Sequence, residues 1–170
     1  MNLKVDYSDL IKIRPITEED YDYVLKWSKN DKFCLANDWE INRNEQELYK
    51  WWLYCVNDLP EDSIRMGIEL ENKLIGYADL ASIVGNTAEL GIAIGESTLW
   101  GKGIGFKSSV RMMDYASSDF GITIFNAETH ETNIRAKKML DRMGFKEISR
   151  NGSEEYLSVE TKLIQYVLSS

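Results

Sequence analysis

Histidine is nearly missing from this sequence. His130 is the single one, and the only cysteines are Cys34 and Cys55, with no CxxC pair. A structural zinc site draws about four ligands from such residues, so no metal site is expected, and both thiols read as reduced and packed. Long apolar runs are missing too: no stretch approaches the ~20 residues of a membrane-spanning helix. The opening "MNLKVDYSDLIKIR" lacks the basic-then-apolar pattern of a signal peptide, so the expected location is cytoplasmic. Positive charge is in deficit, with 20 Lys and Arg against 28 Asp and Glu, a formal charge of -8. Such a surface repels nucleic acid. It keeps a protein soluble, and it suits a cationic substrate such as an amine, or a basic partner. Repeats, low-complexity tracts and linkers are absent, and 170 residues suit one domain over 1–170.

What is present alternates strands and helices. "LIKIRPI" (10–16) reads as a strand, followed by a helix through "TEEDYDYVLKWSKND" with Thr17 and Asp20 as a capping box. Tyr21, Val24 and Leu25 give that helix its apolar face. A second helix covers 44–58, capped by Asn44, with Leu48, Trp51, Trp52 and Cys55 at i, i+3, i+4 and i+7 as a buried stripe. "SIRMGIEL" and "KLIGYADLASIV" form a hairpin around Glu71-Asn72. In the next strand, "TAELGIAI" (87–94), Ala88, Leu90, Ile92 and Ile94 face one way. Glu89, Gly91 and Ala93 face the other, which is bare except for one carboxylate. A helix to about Ser118 follows, with Phe106, Val110, Met113 and Phe120 on its apolar side. A strand at 122–128 leads to a helix with Ala136, Met139, Leu140 and Met143 as its stripe and Gly144 as its C-cap. "FKEIS" and "TKLIQYVL" read as closing strands, and 150–158 as a loop. This order belongs to an α/β or α+β domain.

Between the 87–94 strand and its helix lies "WGKGIG" (100–105), three glycines in six positions. Helix N-terminal amides point outward unpaired, with the positive end of the dipole behind them, so this is an anion site. Lys102 and Lys107 add charge. Three ligand classes compete. A nucleotide P-loop needs GxxxxGK[ST], but here the second glycine comes one place late and Gly103 replaces the magnesium-binding Ser or Thr. A dinucleotide GxGxxG needs one more residue before its third glycine and a place near the start of a parallel unit. The third class is the pyrophosphate of coenzyme A.

"WGKGIG" is similar to the R/Q-x-x-G-x-G/A loop of the GNAT (Gcn5-related) N-acetyltransferases. "NIRAKKMLDRMGF" (133–145) resembles that family's N-x-x-A…G-F signature, and "LIKIRPITEEDYDYVLKW" resembles its opening, especially in the branch akin to ribosomal-protein N-terminal acetyltransferases. The resemblance spans nearly the whole chain. It implies a GNAT fold: a mixed, mostly antiparallel sheet of about seven strands flanked by about four helices, the fourth and fifth strands splayed apart. It implies acetyl-CoA in that gap, its pantetheine on Ile92, Ala93 and Ile94. The loop Trp100, Gly101, Lys102, Gly103, Ile104, Gly105 and Phe106 would hold the pyrophosphate, and Asn133 the pantetheine arm. The sequence departs from the pattern at Trp100, where Arg or Gln is usual. It departs again at Leu140 and Ala136, where relatives carry a tyrosine or serine used as general acid.

The implied reaction is direct acetyl transfer to a primary amine of a small molecule or a protein N-terminus. An ammonium cannot attack, so a base must take its proton. Glu128 and Glu89 are the candidates, with Asp79 third and His130 a further one. Tyr156 and Tyr77 are the tyrosines available as an acid. An acyl-CoA binder without turnover, as sensor or interaction module, is the second reading, and a nucleotide-binding loop the third. The late strands are plausible edges for a homodimer.

Overall fold

The computed structural model describes residues 10–169. Its helices are α1 (Tyr21–Ser28), α2 (Asp31–Ala36), α3 (Glu45–Asn57), α4 (Ile104–Phe120) and α5 (Ile134–Met143). Its strands are β1 (Ile11–Pro15), β2 (Ile64–Leu70), β3 (Lys73–Val84), β4 (Thr87–Ile94), β5 (Ile124–His130), β6 (Lys146–Ser149), β7 (Ser153–Tyr156) and β8 (Val159–Ser169). The sheet runs β1-β2-β3-β4-β5-β8-β6, with β7 on β8. Every pairing is antiparallel except β4 with β5.

Local chemistry explains the ends of the elements. The Asp20 carboxylate accepts from the Thr17 amide at 2.8 Å and takes a two-pronged grip from Arg14 at 2.8 and 2.9 Å. Asn44 Oδ1 accepts from the amides of Gln46 and Glu47, opening α3. Glu71 and Asn72 both adopt positive φ, as a two-residue hairpin turn of the primed type demands.

Two cores lie on the two faces of the sheet. One packs α4 and α5 on it through Ile104, Met112, Ala116, Leu140, Phe125 and Ile164. The other packs α1 to α3 through Val24, Trp27, Phe33, Leu48 and Trp52 against Leu74, Tyr77 and Ala93. A bulge sorts β3 between them. Leu74 pairs with Glu69 and Gly76 with Ile68, so Ile75 is the extra residue and the alternation of faces flips there.

Several elements differ from the sequence reading. The sheet has eight strands, because residues expected as a loop contain β7, which folds back on β8. Its turn, Leu157-Ser158, carries positive φ without glycine and gave no turn signal. The short α2 was not expected; Asn30 caps it, accepting from the Phe33 amide. On α4 the buried row is Ile104, Ser108, Met112 and Ala116 with Ser109, not Phe106, Val110, Met113 and Phe120. Small serines let the helix lie close to the sheet, and Ser109 Oγ returns a hydrogen bond to the Gly105 carbonyl at 2.7 Å. Phe120 is exposed and the other three are half-buried. On α3, Trp51 is half-buried while Leu48, Trp52 and Cys55 are buried. On α5, only Leu140 of the expected stripe is buried.

Candidate active site

The site begins where two strands part. β4 and β5 pair only over Thr87–Glu89 and Ile124–Asn126. Past Glu89, β4 keeps its bonds to β3 and β5 keeps its bonds to β8, so the gap opens between two strands each held on its far side. The backbone edge of β4 from Leu90 to Ile94 thus has no strand partner on the β5 side.

A cleft of about 420 Å³ lies at this gap. Ile92 and Ile94 of β4 form one wall, and the loop from Leu99 to Phe106 with the start of α4 forms the floor. Asn133, Arg135, Ala136, Lys138, Met139 and Arg142 line it from α5 and its cap, Ala36 and Asn37 from α2, and Tyr156 from β7. Of the eleven residues expected to bind cofactor, Ile92, Ile94, Trp100, Gly101, Gly103, Ile104, Gly105, Phe106 and Asn133 therefore meet in one place. Ala93 does not line the cleft; its side chain is buried against the α1 to α3 layer. Lys102 is exposed and lies outside the lining residues.

The loop is shaped for an anion. Gly101 and Gly103 have φ of 78° and 79°, which side chains rarely adopt, and a Cβ at either would meet nothing within 4 Å. Gly103 is the N-cap of α4 and has no capping side chain. The first intrahelical bond runs from the Lys107 amide to the Gly103 carbonyl, so the amides of Ile104, Gly105 and Phe106 precede it without helical partners. Trp100, in place of the usual Arg or Gln, ties the loop to β4: its Nε1 donates to the Ile94 carbonyl at 2.9 Å. Asn30 Nδ2 donates to Ser97 Oγ at 2.9 Å and fixes the approach to the loop.

Cations gather on one side of the cleft, and they were missed in the sequence. Arg135, Lys138 and Arg142 fall at i, i+3 and i+7, one face of α5. Arg135 lies 4.7 Å over the Trp100 ring and Arg142 lies 4.2 Å over Phe106. Their spacing is legible in the sequence, but Lys102 and Lys107 are the cations next to the glycines along the chain, and only the fold brings α5 beside the loop. Unpaired amides, positive-φ glycines and this cationic row together fit the diphosphate of coenzyme A. Asn133 Oδ1 caps α5 by accepting from the Ala136 amide at 3.1 Å, and its Nδ2 has no partner among the described residues.

Glu89 and Glu128 lie at the mouth of the gap, outside the cleft lining. Phe125 and Ala127 point into the core, so alternation puts Asn126, Glu128 and His130 on the opposite face, which Glu89 shares. The Glu128 carboxylate accepts from Gln165 Nε2 at 2.8 Å, and Gln165 Oε1 is in turn held by Ser149 and Asn151. Glu89 has no hydrogen bond among the described residues. Loss of water around its carboxyl, then the charge of Glu128, push it above the usual carboxylate range. Asp79 is committed elsewhere, paired with Arg65 at 2.7 and 2.8 Å. Tyr77 is also committed: Trp39 donates to its hydroxyl, Arg65 covers its ring at 4.3 Å, and burial pushes its phenol up to about 12. His130 stacks on Tyr156, and its Nδ1 is buried without a partner among the described residues. Leu140 is buried in the core and Ala136 lines the cleft, so neither of those two α5 positions presents an acid.

Comparison with known proteins agrees with this arrangement. The family model described as "Acetyltransferase (GNAT) domain" matches residues 11–146. The chain is 28% identical over 158 residues to an uncharacterized protein of Methanocaldococcus jannaschii, covering 91% of this chain and 32% of that protein. It thus spans about a third of the length of that curated relative. A solved domain from Methanocaldococcus jannaschii is 25% identical, with a TM-score of 0.71 over 94% of this chain and 98% of that one. The spermidine N-acetyltransferase of Vibrio cholerae, solved with CoA and spermine, shares the fold at a TM-score of 0.81. It is 19% identical, over 95% of this chain and 96% of that one.

Proposed function

The chain belongs to the GNAT acetyltransferase family, whose acetyl donor is acetyl-CoA, and on that premise we propose that it acetylates a primary amine of a small molecule or a protein N-terminus. One observation carries this reading: the anion cradle on α4 runs without interruption into the gap between β4 and β5, and two carboxylates stand at the other side of that gap. Donor and acceptor then meet through the sheet from opposite faces.

Acetyl-CoA supplies an activated thioester, and the chain supplies the rest. The amides at the start of α4 and the cationic row of α5 hold the phosphates. Ile92 and Ile94, with the unpaired edge of β4, lay the pantetheine along the gap, helped by Asn133 Nδ2. A backbone amide on that edge can donate to oxyanion charge as it develops. Glu89 takes the ammonium proton, because its raised affinity for protons makes it the stronger base. Glu128 keeps that affinity high and attracts the cationic acceptor, as does the acidic surface as a whole.

The second reading is an acyl-CoA binder without turnover, and Leu140 and Ala136 favour it. The two separate in one assay. Acetyl-CoA is offered with polyamines, amino sugars, aminoglycosides, amino acids and basic peptides, while CoA binding is followed by thermal shift. Acetyl transfer to an amine is expected, with Glu89→Gln lowering kcat by roughly a hundredfold or more. Stabilisation by CoA with no transfer to any amine would establish the second reading instead. Full activity of both Glu89→Gln and Glu128→Gln would remove both as the base.

A further inference from the structure

We propose that the acceptor carries a negative group, a carboxylate or a phosphate, as well as its amine, and that Arg43 and Arg65 hold that group; this rests on the acetyl-transfer reading above. The acceptor's face of the sheet is the one that carries Glu89, Gly91 and Ala93. Across that face the register runs from Arg65 to Asp79 to Gly91, from β2 through β3 to the β4 edge of the gap. Gly91 leaves the floor open there: a Cβ would touch only Asp79, at 3.6 and 3.9 Å. An acceptor whose amine meets Glu89 can thus lie over Gly91 and reach Arg65 with its far end. That end is one or two strand spacings away, about 5–10 Å.

The far end is cationic in a chain that is acidic overall. Arg65 lies over the rings of Trp51 at 5.3 Å and Tyr77 at 4.3 Å. Its Nε and Nη2 grip Asp79, while its Nη1 donates to Cys55 Sγ at 3.2 Å, a weak acceptor. Burial pushes the Cys55 thiol up, so the sulfur stays neutral and adds no negative charge. Arg43, in the loop between α2 and α3, lies over the same Trp51 ring at 5.5 Å. It is half-buried, and its guanidinium has no carboxylate and no hydrogen-bond acceptor among the described residues. Two guanidinium charges therefore gather at one indole, and the carboxylate bound there is that of Asp79. Stacking occupies the face of a guanidinium and leaves its N–H edge, a fork that matches a carboxylate or a phosphate. A polyamine would bring further positive charge to this end and be repelled. An amine with an anionic tail suits both ends of the face, its ammonium at Glu89 and Glu128 and its anion at the arginines.

Matched acceptors test this with acetyl-CoA and the wild-type chain: γ-aminobutyrate against its amide, phosphoethanolamine against ethanolamine, a phosphorylated amino sugar against the plain amino sugar, and spermidine. We expect the anionic member of at least one pair to have a kcat/KM about tenfold to a hundredfold above its neutral partner and above spermidine. The carboxylate and phosphate pairs show which anion is meant. In Arg43→Gln that ratio should collapse, through the KM of the anionic member, and Arg43→Lys should restore part of it. A preference of the wild type for neutral members or for spermidine overturns the anionic acceptor and leaves acetyl transfer standing. So does an Arg43→Gln chain that keeps the wild-type ratio, whether or not both members fall together. A wild-type chain that binds CoA but acetylates no amine overturns both proposals.

Discussion

Glu89 is held in a setting that its charged form does not favour. Its carboxyl loses water and faces the charge of Glu128, so its pKa in the folded chain lies above the ordinary value. The fold therefore prefers it protonated. That preference helps stability below the ordinary carboxylate pKa and is lost as pH rises through the raised one. Two consequences are opposite in sign. At neutral pH, Glu89→Gln should leave the melting temperature unchanged or slightly higher while removing most activity. Wild-type activity should rise with pH on its acid limb as Glu89 ionises, and Glu128→Gln should move that limb to lower pH by removing the neighbouring charge. Melting curves and pH–rate profiles of the two variants check this. At the same scale, Gly95 is required by a close approach: a Cβ there would run into the buried Trp27 indole. Gly95→Ala should cost about 1–3 kcal/mol of stability as an overpacking change, read from denaturant unfolding.

At the scale of elements, the loop before α4 works as a unit. Its glycines, the uncapped amides and the Trp100 bond to β4 cooperate, so disturbing one moves the others. Gly103→Val puts a β-branched residue at φ 79° on the N-cap, and the amides of Ile104 to Phe106 should lose their common direction. CoA affinity should then fall at least tenfold while the melting temperature drops only modestly, measured by calorimetry and thermal shift. Unchanged CoA affinity would sever the loop from the phosphates. The loop, its strand and its helix were all legible in the sequence, because a Gly-rich turn between periodic segments is a local signal. The buried face of α4 was not. Ser108 and Ser109 are polar by composition and buried by contact, and only the sheet beneath them settles that. Likewise β7 has no apolar alternation of its own. It exists because β8 is long enough to offer it an edge.

At the scale of the molecule, charge is divided. The chain as a whole is acidic, with a net charge of -8, yet the cleft carries Arg135, Lys138 and Arg142. CoA must cross a repulsive field to reach an attractive pocket. Salt screens surface charges within about 10 Å at 0.1 M, so the net effect on CoA binding reveals which dominates. We expect the local cations to win: CoA affinity should weaken several-fold between low and high salt, and Arg142→Ala should flatten that dependence. Titrations at several salt concentrations measure both.

The sequence by itself determined the family, the order of most elements, the caps at Thr17, Asn44 and Gly144, the hairpin at Glu71-Asn72 and the loop at 100–105. All of these are written in short stretches whose periodicity, capping residues or motif spacing need no distant partner. Tertiary structure alone decided the splay of β4 from β5, which depends on each strand being held by a different neighbour. It also decided which cations face the cleft, which side of α4 is buried, and that Tyr156 rests on His130 across the gap from β4. Those are meetings of residues far apart in the chain, and no local pattern encodes a partner that only the closed sheet brings near.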